Sequence, residues 1–368
     1  MSIGIGGAGS KLASLLDAGD CTIVNVSEAE LSKVEAKKKL LAVAHSSKGQ
    51  FRGAGKNPNI GKTAFISISD EIMSMIKGEI VFTSTGGGTG NGVCTILLKK
   101  MAEAESILLN DSTMFVFVLP YMNRESSEFV ENTISFLLDP VSEAIDSGNT
   151  GNMVLFSNKV KFETRVSESE YNKIMANSLK TFLAIPEKGD AFPLLDGHID
   201  HEDFKVFKAK PYFNHFCQFK LNEEKPFEEQ LKRNYNKLLL PPENPIEVMF
   251  LLEVPSPEMT PLFYGILDYF SNDDVAASYG VVLNESLKQP LVTVSMLYSR
   301  KPRELVEDFK KIADKLAQKK LKKSIDQFVK LEAYNKDIDN QVKKLAEAND
   351  GEEVAGVLDI LKRLKKLR

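Results

Sequence analysis

The chain is 368 residues long, 43% apolar and 27% charged, with a formal net charge of -4, so it has room for two soluble domains and no global pull toward nucleic acid. Its three cysteines, Cys21, Cys94 and Cys217, are far apart and form no C-x-x-C pair, which excludes a disulfide framework or zinc knuckle and predicts a reducing, cytoplasmic setting. No run of ~18 apolar residues and no basic–apolar–small leader is present, so neither a membrane-spanning helix nor a secretion signal is expected.

The chain opens on a strand of a few residues followed by Gly4-x-Gly6-x-x-Gly9, and Glu28 lies near the ribose-binding distance of a dinucleotide fingerprint. Taken alone, that pattern points to a nicotinamide or flavin enzyme. A second apolar strand, Cys21 to Val26, runs into Asn25-Val-Ser-Glu-Ala-Glu-Leu31, where Ser27 and Glu30 have the spacing of a capping box. Next, Gly53-Ala-Gly-Lys-Asn-Pro-Asn-Ile-Gly-Lys-Thr63 imitates a Walker A loop. Five residues separate Gly55 from Gly61 where that loop requires four, and no β-branched strand precedes it, so the assignment is rejected in favour of a turn-rich loop.

The most informative stretch is Val81-Phe-Thr-Ser-Thr-Gly-Gly-Gly-Thr-Gly-Asn-Gly-Val93. A β-branched strand feeds a glycine loop, and a helix is predicted from Val93 to about Ala104. Backbone N–H groups and a helix dipole then converge where a phosphate would sit. The glycines are expected to allow close approach and positive φ, with Thr85, Thr89 and Asn91 adding donors. An apolar strand at Met114–Leu119 fits a parallel sheet covered on both faces. A helix over 126–146, a strand at Met153–Phe156 and a helix at about Ser167–Leu183 follow. The stretch Asp196-Gly-His-Ile-Asp-His-Glu-Asp-Phe204 is an acidic loop, and His198-x-x-His201 lacks the third spaced ligand a metal site needs. Residues 206–300 predict strands at 213–219, 247–254 and 290–298, helices near 226–236 and 259–272, and no further phosphate loop. Residues 301–368 read as helical, with 18 Lys/Arg against 13 Asp/Glu. They form either a docking arm or a stabilising terminal element with a solvated basic face.

Gly-Gly-Gly-Thr-Gly-Asn-Gly at 86–92 resembles the phosphate loop of the tubulin/FtsZ family of GTP-dependent filament proteins. Gly6, Gly7 and Ser10 are similar to its first loop, with Ser10 where relatives carry Asn. Asn25 begins a segment like its second loop, in which Ser27 replaces an Asp, so one phosphate- or magnesium-side carboxylate is absent. Gly55 and Asn57 lie in a match to A-G-x-N-P-x-x-G on the γ-phosphate side. The resemblance implies phosphate contacts at Gly87, Gly88, Thr89, Gly90 and Asn91, and a ribose contact at Glu125 or its neighbour Arg124. It implies guanine contacts at Asn158 and Asn172. His198-x-Asp200-x-x-Asp203 resembles N-x-D-x-x-D, whose carboxylates polarise the attacking water in the pocket of the next subunit.

The implied fold is α/β, with a parallel-sheet nucleotide domain (1–165), a central helix and acidic loop (166–205), a smaller α+β domain (206–300) and a helical basic tail (301–368). Implied ligands are GTP/GDP with Mg2+ bound mostly through phosphates. Implied partners are further copies in a head-to-tail filament and a DNA-bound adaptor at the tail, without direct sequence-specific DNA binding. Length and tail look most like the plasmid or phage branch. A cell-division FtsZ-type filament protein and an NAD-dependent oxidoreductase using Gly4, Gly6, Gly9 and Glu28 are the alternatives.

Overall fold

The computed structural model describes residues 1–299 apart from residues 48, 105–111, 122 and 273, together with Glu307, Lys310, Lys311, Asp314, Lys315 and Gln318. The chain divides into units 1–312 and 313–368, and the architecture below is that of the first. In the second, Asp314, Lys315 and Gln318 are helical and exposed. The remaining expectations for the basic tail fall outside the described residues. No helix among the described residues is long and apolar enough to cross a membrane.

The first half runs β1 (Ser2–Ile5), α1 (Gly6–Leu16), β2 (Thr22–Asn25), α2 (Glu28–Leu31), β3 (Lys38–Leu41), the hairpin β4 (His45–Ser46) and β5 (Gly49–Gln50), α3 (Pro58–Phe65) and α4 (Ser69–Met75). It continues through β6 (Ile80–Ser84), α5 (Gly88–Ala102), β7 (Met114–Leu119), α6 (Ser127–Phe136), α7 (Ser142–Ser147), β8 (Met153–Ser157) and α8 (Lys159–Thr164). The second half runs α9 (Glu168–Leu183), α10 (Ile185–Ala191), β9 (Leu194–Gly197), α11 (His201–Lys208), β10 (Phe213–Lys220) and α12 (Phe227–Arg233). It ends with β11 (Pro245–Val254), α13 (Leu262–Asn272), β12 (Ala276–Leu283) and β13 (Leu291–Tyr298).

All strands except the β4–β5 hairpin join one eleven-stranded sheet in the order β3-β2-β1-β6-β7-β8-β10-β13-β11-β12-β9. The first six pair in parallel. Their apolar runs are buried on both faces, β7 along its whole length, as a parallel sheet covered by helices requires. β10 continues in parallel from β8 over only two residue pairs and then pairs antiparallel with β13. The sheet therefore changes character where the second half begins. One apolar core carries Tyr171, Met175, Leu179 and Phe182 of α9 together with Val154 of β8, Phe216 of β10 and Leu297 of β13. Helix α9 is thus core to both halves. A second core lies among α12, α13 and β10–β13, around Phe227, Phe250, Phe263 and Phe270.

Several expectations change. Helix α5 starts at Gly88, ahead of the predicted Val93, so Gly88, Gly90 and Gly92 are helical rather than part of a loop. None of these three has positive φ. Glycine costs ~1 kcal/mol in a helix relative to alanine, so the run reads locally as coil. What it serves is packing. A Cβ at Gly92 would lie 2.1 Å from the Pro58 carbonyl oxygen and 2.7 Å from the Gly61 Cα, and one at Gly61 would lie 2.5 Å from the Gly88 oxygen. α3 and α5 meet backbone to backbone. The single helix expected over 126–146 is interrupted by a π turn at Leu137–Val141 that contains Pro140, which has no N–H to continue the α ladder. Strand β12 was not foreseen. Its Ala, Ser and Gly residues have weak strand preference, yet it pairs in parallel with β11 along its whole length.

The segment 234–240 is fastened to both halves. Its Leu240 N–H donates to Leu155 on β8, and Asn236 Nδ2 donates to Ser178 Oγ on α9. The wholly buried His215 of β10 locks it, since Nδ1–H donates to the Leu240 carbonyl (2.8 Å) and Nε2 accepts the Asn236 N–H (3.1 Å). Nε2 can accept only while the imidazole is neutral, so protonation would break the bond from Asn236. Burial pushes the His215 pKa down to about 4, against the opposing pull of the Leu240 carbonyl.

Two predictions follow from this packing. Because the folded imidazole titrates lower than the unfolded one, its contribution is present above the ordinary histidine pKa and is lost as pH falls from there toward about 4. Urea unfolding should show the native chain losing about 2 kcal/mol between pH ~7 and pH ~5 relative to His215→Gln; equal pH slopes would refute the locked-imidazole account. Gly92→Ala should destabilise by about 1–3 kcal/mol through overpacking, whereas Gly265→Ala in α13, where a Cβ meets nothing within 4 Å, should stabilise by roughly 0.5–1 kcal/mol. Matching thermal midpoints for the two variants would show that the α3–α5 contact yields freely.

Candidate nucleotide site

Strands β1 and β6 lie side by side in parallel, Ile5 opposite Thr83, and the chain winds outward from this pair in both directions, to β2 and β3 on one side and to β7 and β8 on the other. That is a topological switch point, where an open α/β sheet leaves a crevice beyond its strand ends. The helices leaving the two strands start together. A Cβ on Gly6, which has φ +75°, would lie 2.9 Å from the Gly90 nitrogen. Neither α1 nor α5 has a side-chain cap or an acidic residue in its first turn. In contrast, Ser167 caps α9 and Asp200 caps α11. Two positive helix ends with uncapped N–H groups therefore converge at one place, an arrangement that suits phosphates.

Beside these ends is a cavity of about 250 Å³. Of the sequence-predicted residues, Gly87, Glu125, Asn158 and Asn172 line it, and Gly86, Tyr171 and Lys161 join them. Glu125 Oε2 accepts the Tyr121 N–H (2.5 Å) and Asn158 Nδ2 (3.2 Å), so the two polar groups beyond β7 and β8 hold each other in place. Asn172, 6% exposed, reaches the cavity from the first turns of α9. That end of α9 is tied to α1 by the Lys11–Glu168 ion pair at 2.6 Å. Tyr171 donates its hydroxyl to the Ser157 carbonyl, and burial raises its pKa.

Around the helix ends, Thr89 Oγ1 donates to Asn25 Oδ1 (3.4 Å) and Asn25 Nδ2 donates to Glu30 Oε2 (2.7 Å). The same Glu30 oxygen lies 3.0 Å from where a Cβ on Gly7 would stand. The capping box is therefore only half formed. Ser27 Oγ accepts the Glu30 N–H, but the Ser27 N–H goes to Asn25 Oδ1 rather than to the Glu30 carboxylate. Gly55 (φ +53°) turns the chain into Asn57, which caps α3 and whose backbone packs against Gly88. Gly88 and Gly90 lie within α5, and a Cβ at Gly90 would stand 2.3 Å from Thr83 Oγ1.

Two predicted residues are turned into the protein. Ser10 Oγ donates to the Gly4 carbonyl, and Asn91 Nδ2 donates to the carbonyls of Thr85 and Asn132. The Thr85 hydroxyl is likewise engaged, with Thr133 at 2.8 Å. Sequence reasoning missed Asn132, whose Nδ2 donates to the carbonyls of Lys56 and Gly86 at 2.9 Å each and so pins two loops. A single Asn on a helix carries no signal that would reveal this.

The acidic pair stands elsewhere. Asp200 is the N-cap of α11, and its Oδ1 accepts the N–H groups of Glu202 and Asp203 at 2.8 Å each. The Asp203 N–H, then that of Glu202, holds the Asp200 carboxyl below its ordinary range, with desolvation opposing. Asp203 is exposed in the first turn of α11. Its neighbour Phe204 packs on Phe182 near the far end of α9, ring centroids 5.0 Å apart. Phe182 is ten residues beyond Asn172, about 15 Å along the helix axis. Within one chain, α9 therefore holds the acids away from the cavity.

Residues 1–147 match the family model for the Tubulin/FtsZ family, GTPase domain. The chain is 32% identical over 115 residues to cell division protein FtsZ 1 of Halobacterium salinarum, covering 29% of this chain and 28% of that protein. It is 26% identical over 199 residues to the tubulin-like protein TubZ of Bacillus cereus, covering 50% of this chain and 43% of that protein. The matched stretches thus span less than half the length of either relative. Among solved structures it resembles a GTPγS-form protofilament of Bacillus thuringiensis serovar israelensis TubZ, with a TM-score of 0.68 at 14% identity, covering 87% of this chain and 93% of that one. The nicotinamide alternative finds no support, since the family match includes Gly4, Gly6, Gly9 and Glu28. The chain has the Tubulin/FtsZ fold, and its residues 1–147 match the GTPase-domain model of that family.

Proposed function

We propose that this chain is a GTP-dependent filament protein whose hydrolytic site is completed between successive copies, and that its filaments move plasmid or phage DNA. One observation carries the reading. The cavity and the acidic pair lie at opposite ends of α9, so a head-to-tail stack would bring the α11 start of one copy to the helix-end crevice of the next. In this reading Gly6, Gly7, Gly88, Gly90 and Thr89 receive the phosphates, Glu125 the ribose, and Asn158 and Asn172 the guanine edge. Residues 1–165 bind nucleotide, 166–205 carry the central helix and the acids, and 206–300 support the contact with the next copy. A cell-division role is the second reading, favoured by the identity with FtsZ 1.

Magnesium fits as a cation held by the nucleotide rather than by the protein. Among the described residues no three His, Cys, Asp or Glu side chains converge on a metal position. The carboxylate at the phosphate crevice is Glu30, beside Gly7. When bound, the cation would offset phosphate charge. The chain's own part is to orient the phosphates on two helix ends and to place Asp203 of a second copy beside the attacking water. The basic residues of 301–368 are assigned to a DNA-bound adaptor on charge alone.

Sedimentation with GTP, GDP or a slowly hydrolysed GTP analogue, with phosphate release assayed in parallel, tests this. A pellet that requires GTP, persists with the analogue and shrinks as GTP is consumed is expected; no pellet and no phosphate release would reject the reading. Asp203→Ala should still pellet with GTP while hydrolysing it ~10²-fold more slowly. Normal turnover by that variant would remove Asp203 from the chemistry.

A further inference from the structure

Just before α11, the acidic motif has a histidine, His198, where the resembled pattern has Asn, and neither the carboxylate chemistry of that motif nor the helix-end crevice uses its imidazole. His198 Nε2 lies 3.2 Å from Asp190 Oδ1, and His201 Nε2 lies 3.4 Å from Asp190 Oδ2, so one carboxylate of α10 faces two imidazoles. A carboxylate can only accept, which puts the proton of a neutral His198 on Nε2 and leaves Nδ1 as its acceptor nitrogen. His198 Nδ1 has no partner among the described residues, and the side chain is 44% exposed. Asp200, two residues on, is differently placed. Its Oδ1 takes two backbone N–H groups, the kind of environment that makes a carboxylate a poor proton acceptor.

We propose that His198 is the group that takes the proton from the attacking water, with Asp190 as its positioning residue. The inference rests on the reading that α11 of one copy meets the nucleotide of the next. The water's O–H bond breaks toward His198 Nδ1 as its oxygen bonds the γ-phosphorus. The bond from that phosphorus to the β-phosphate oxygen breaks, leaving GDP with the electron pair, and the imidazolium later releases its proton to solvent. Asp203 holds the same water by a hydrogen bond. Among the described residues, Asp190 from α10 pairs with His198 and Asp200 feels its charge; its neighbours along the chain are Asp196 at the end of β9 and His201, Glu202 and Asp203 in α11, with His201 also paired to Asp190 and Glu202 bound by Lys205. Imidazole is the side chain here that ordinarily changes charge between pH ~5 and ~8, so proton acceptance by it leaves a signature in that range.

The experiment measures phosphate release at saturating GTP from about pH 5.5 to 8.5 for the full chain, H198N, H201N and D190N, with pelleting by the slowly hydrolysed GTP analogue in parallel. The unmodified chain is expected to slow on acidification. H198N should lose that acid limb and fall ~10²-fold in kcat while pelleting normally with the analogue. D190N should lower kcat with KM unchanged, and H201N should keep the acid limb. Retention of full rate and acid limb in H198N overturns the proposal. So does failure of H198N to pellet with the analogue, which would assign His198 to assembly. Absence of GTP-dependent pelleting and phosphate release in the unmodified chain overturns the filament reading and this inference together.

Discussion

The contact on which the rest of the molecule depends is the near-touching of backbones where α1 and α5 leave β1 and β6. A Cβ at Gly9 would stand 2.2 Å from the Phe82 carbonyl oxygen, one at Gly6 would stand 2.9 Å from the Gly90 nitrogen, and one at Gly92 would strike the backbone of α3. Side chains at these positions would push the two helices apart. Their N–H groups would then no longer face one point. The absence of caps on α1 and α5 has the same logic, because a capping oxygen would satisfy the donors that an anion is to meet.

Around this contact, buried and half-buried amides do work that charges do in many phosphate sites. Asn25 joins Thr89 to Glu30, Asn132 joins Lys56 to Gly86, and Asn158 joins the cavity edge to Glu125. Each connects segments far apart in sequence and so helps to hold the loops. Two nearby cations are themselves paired, Lys11 with Glu168 and Lys56 with Glu128. The helix ends add a positive contribution at the crevice that side-chain titration does not alter.

Helix α9 sets the second constraint. Its first turns reach the cavity through Tyr171 and Asn172, and near its far end Phe182 packs on Phe204 and Phe216. Its rigidity fixes the separation between the nucleotide cavity and the α11 start. Because its buried face belongs to the core shared with β8, β10 and β13, any change that shifts α9 must repack both halves. His215 and the 234–240 segment reinforce that coupling, with Leu238 and Leu239 in the same core.

Much was determined by the sequence alone. The apolar runs at Met114–Leu119 and Met153–Ser157, the helix capped by Ser167 and the order of glycine-rich turns follow from short-range rules of burial, capping and spacing. Four of the predicted nucleotide residues, Gly87, Glu125, Asn158 and Asn172, line one cavity, three of them in segments that follow parallel strands and Asn172 in the first turns of α9. Other features depended on neighbours distant in sequence. Whether Gly88-Thr-Gly-Asn-Gly92 is loop or helix was settled by α3, whose backbone approaches too closely for any Cβ. The inward turn of Ser10 and Asn91, the pin at Asn132, the strand at Ala276–Leu283 and the use of Asp200 as a cap were set by partners across the fold. Local preference is worth tenths of a kcal/mol to about 1 kcal/mol per residue, whereas a clash of backbones or an unpaired buried amide costs more, so tertiary packing prevails where they conflict.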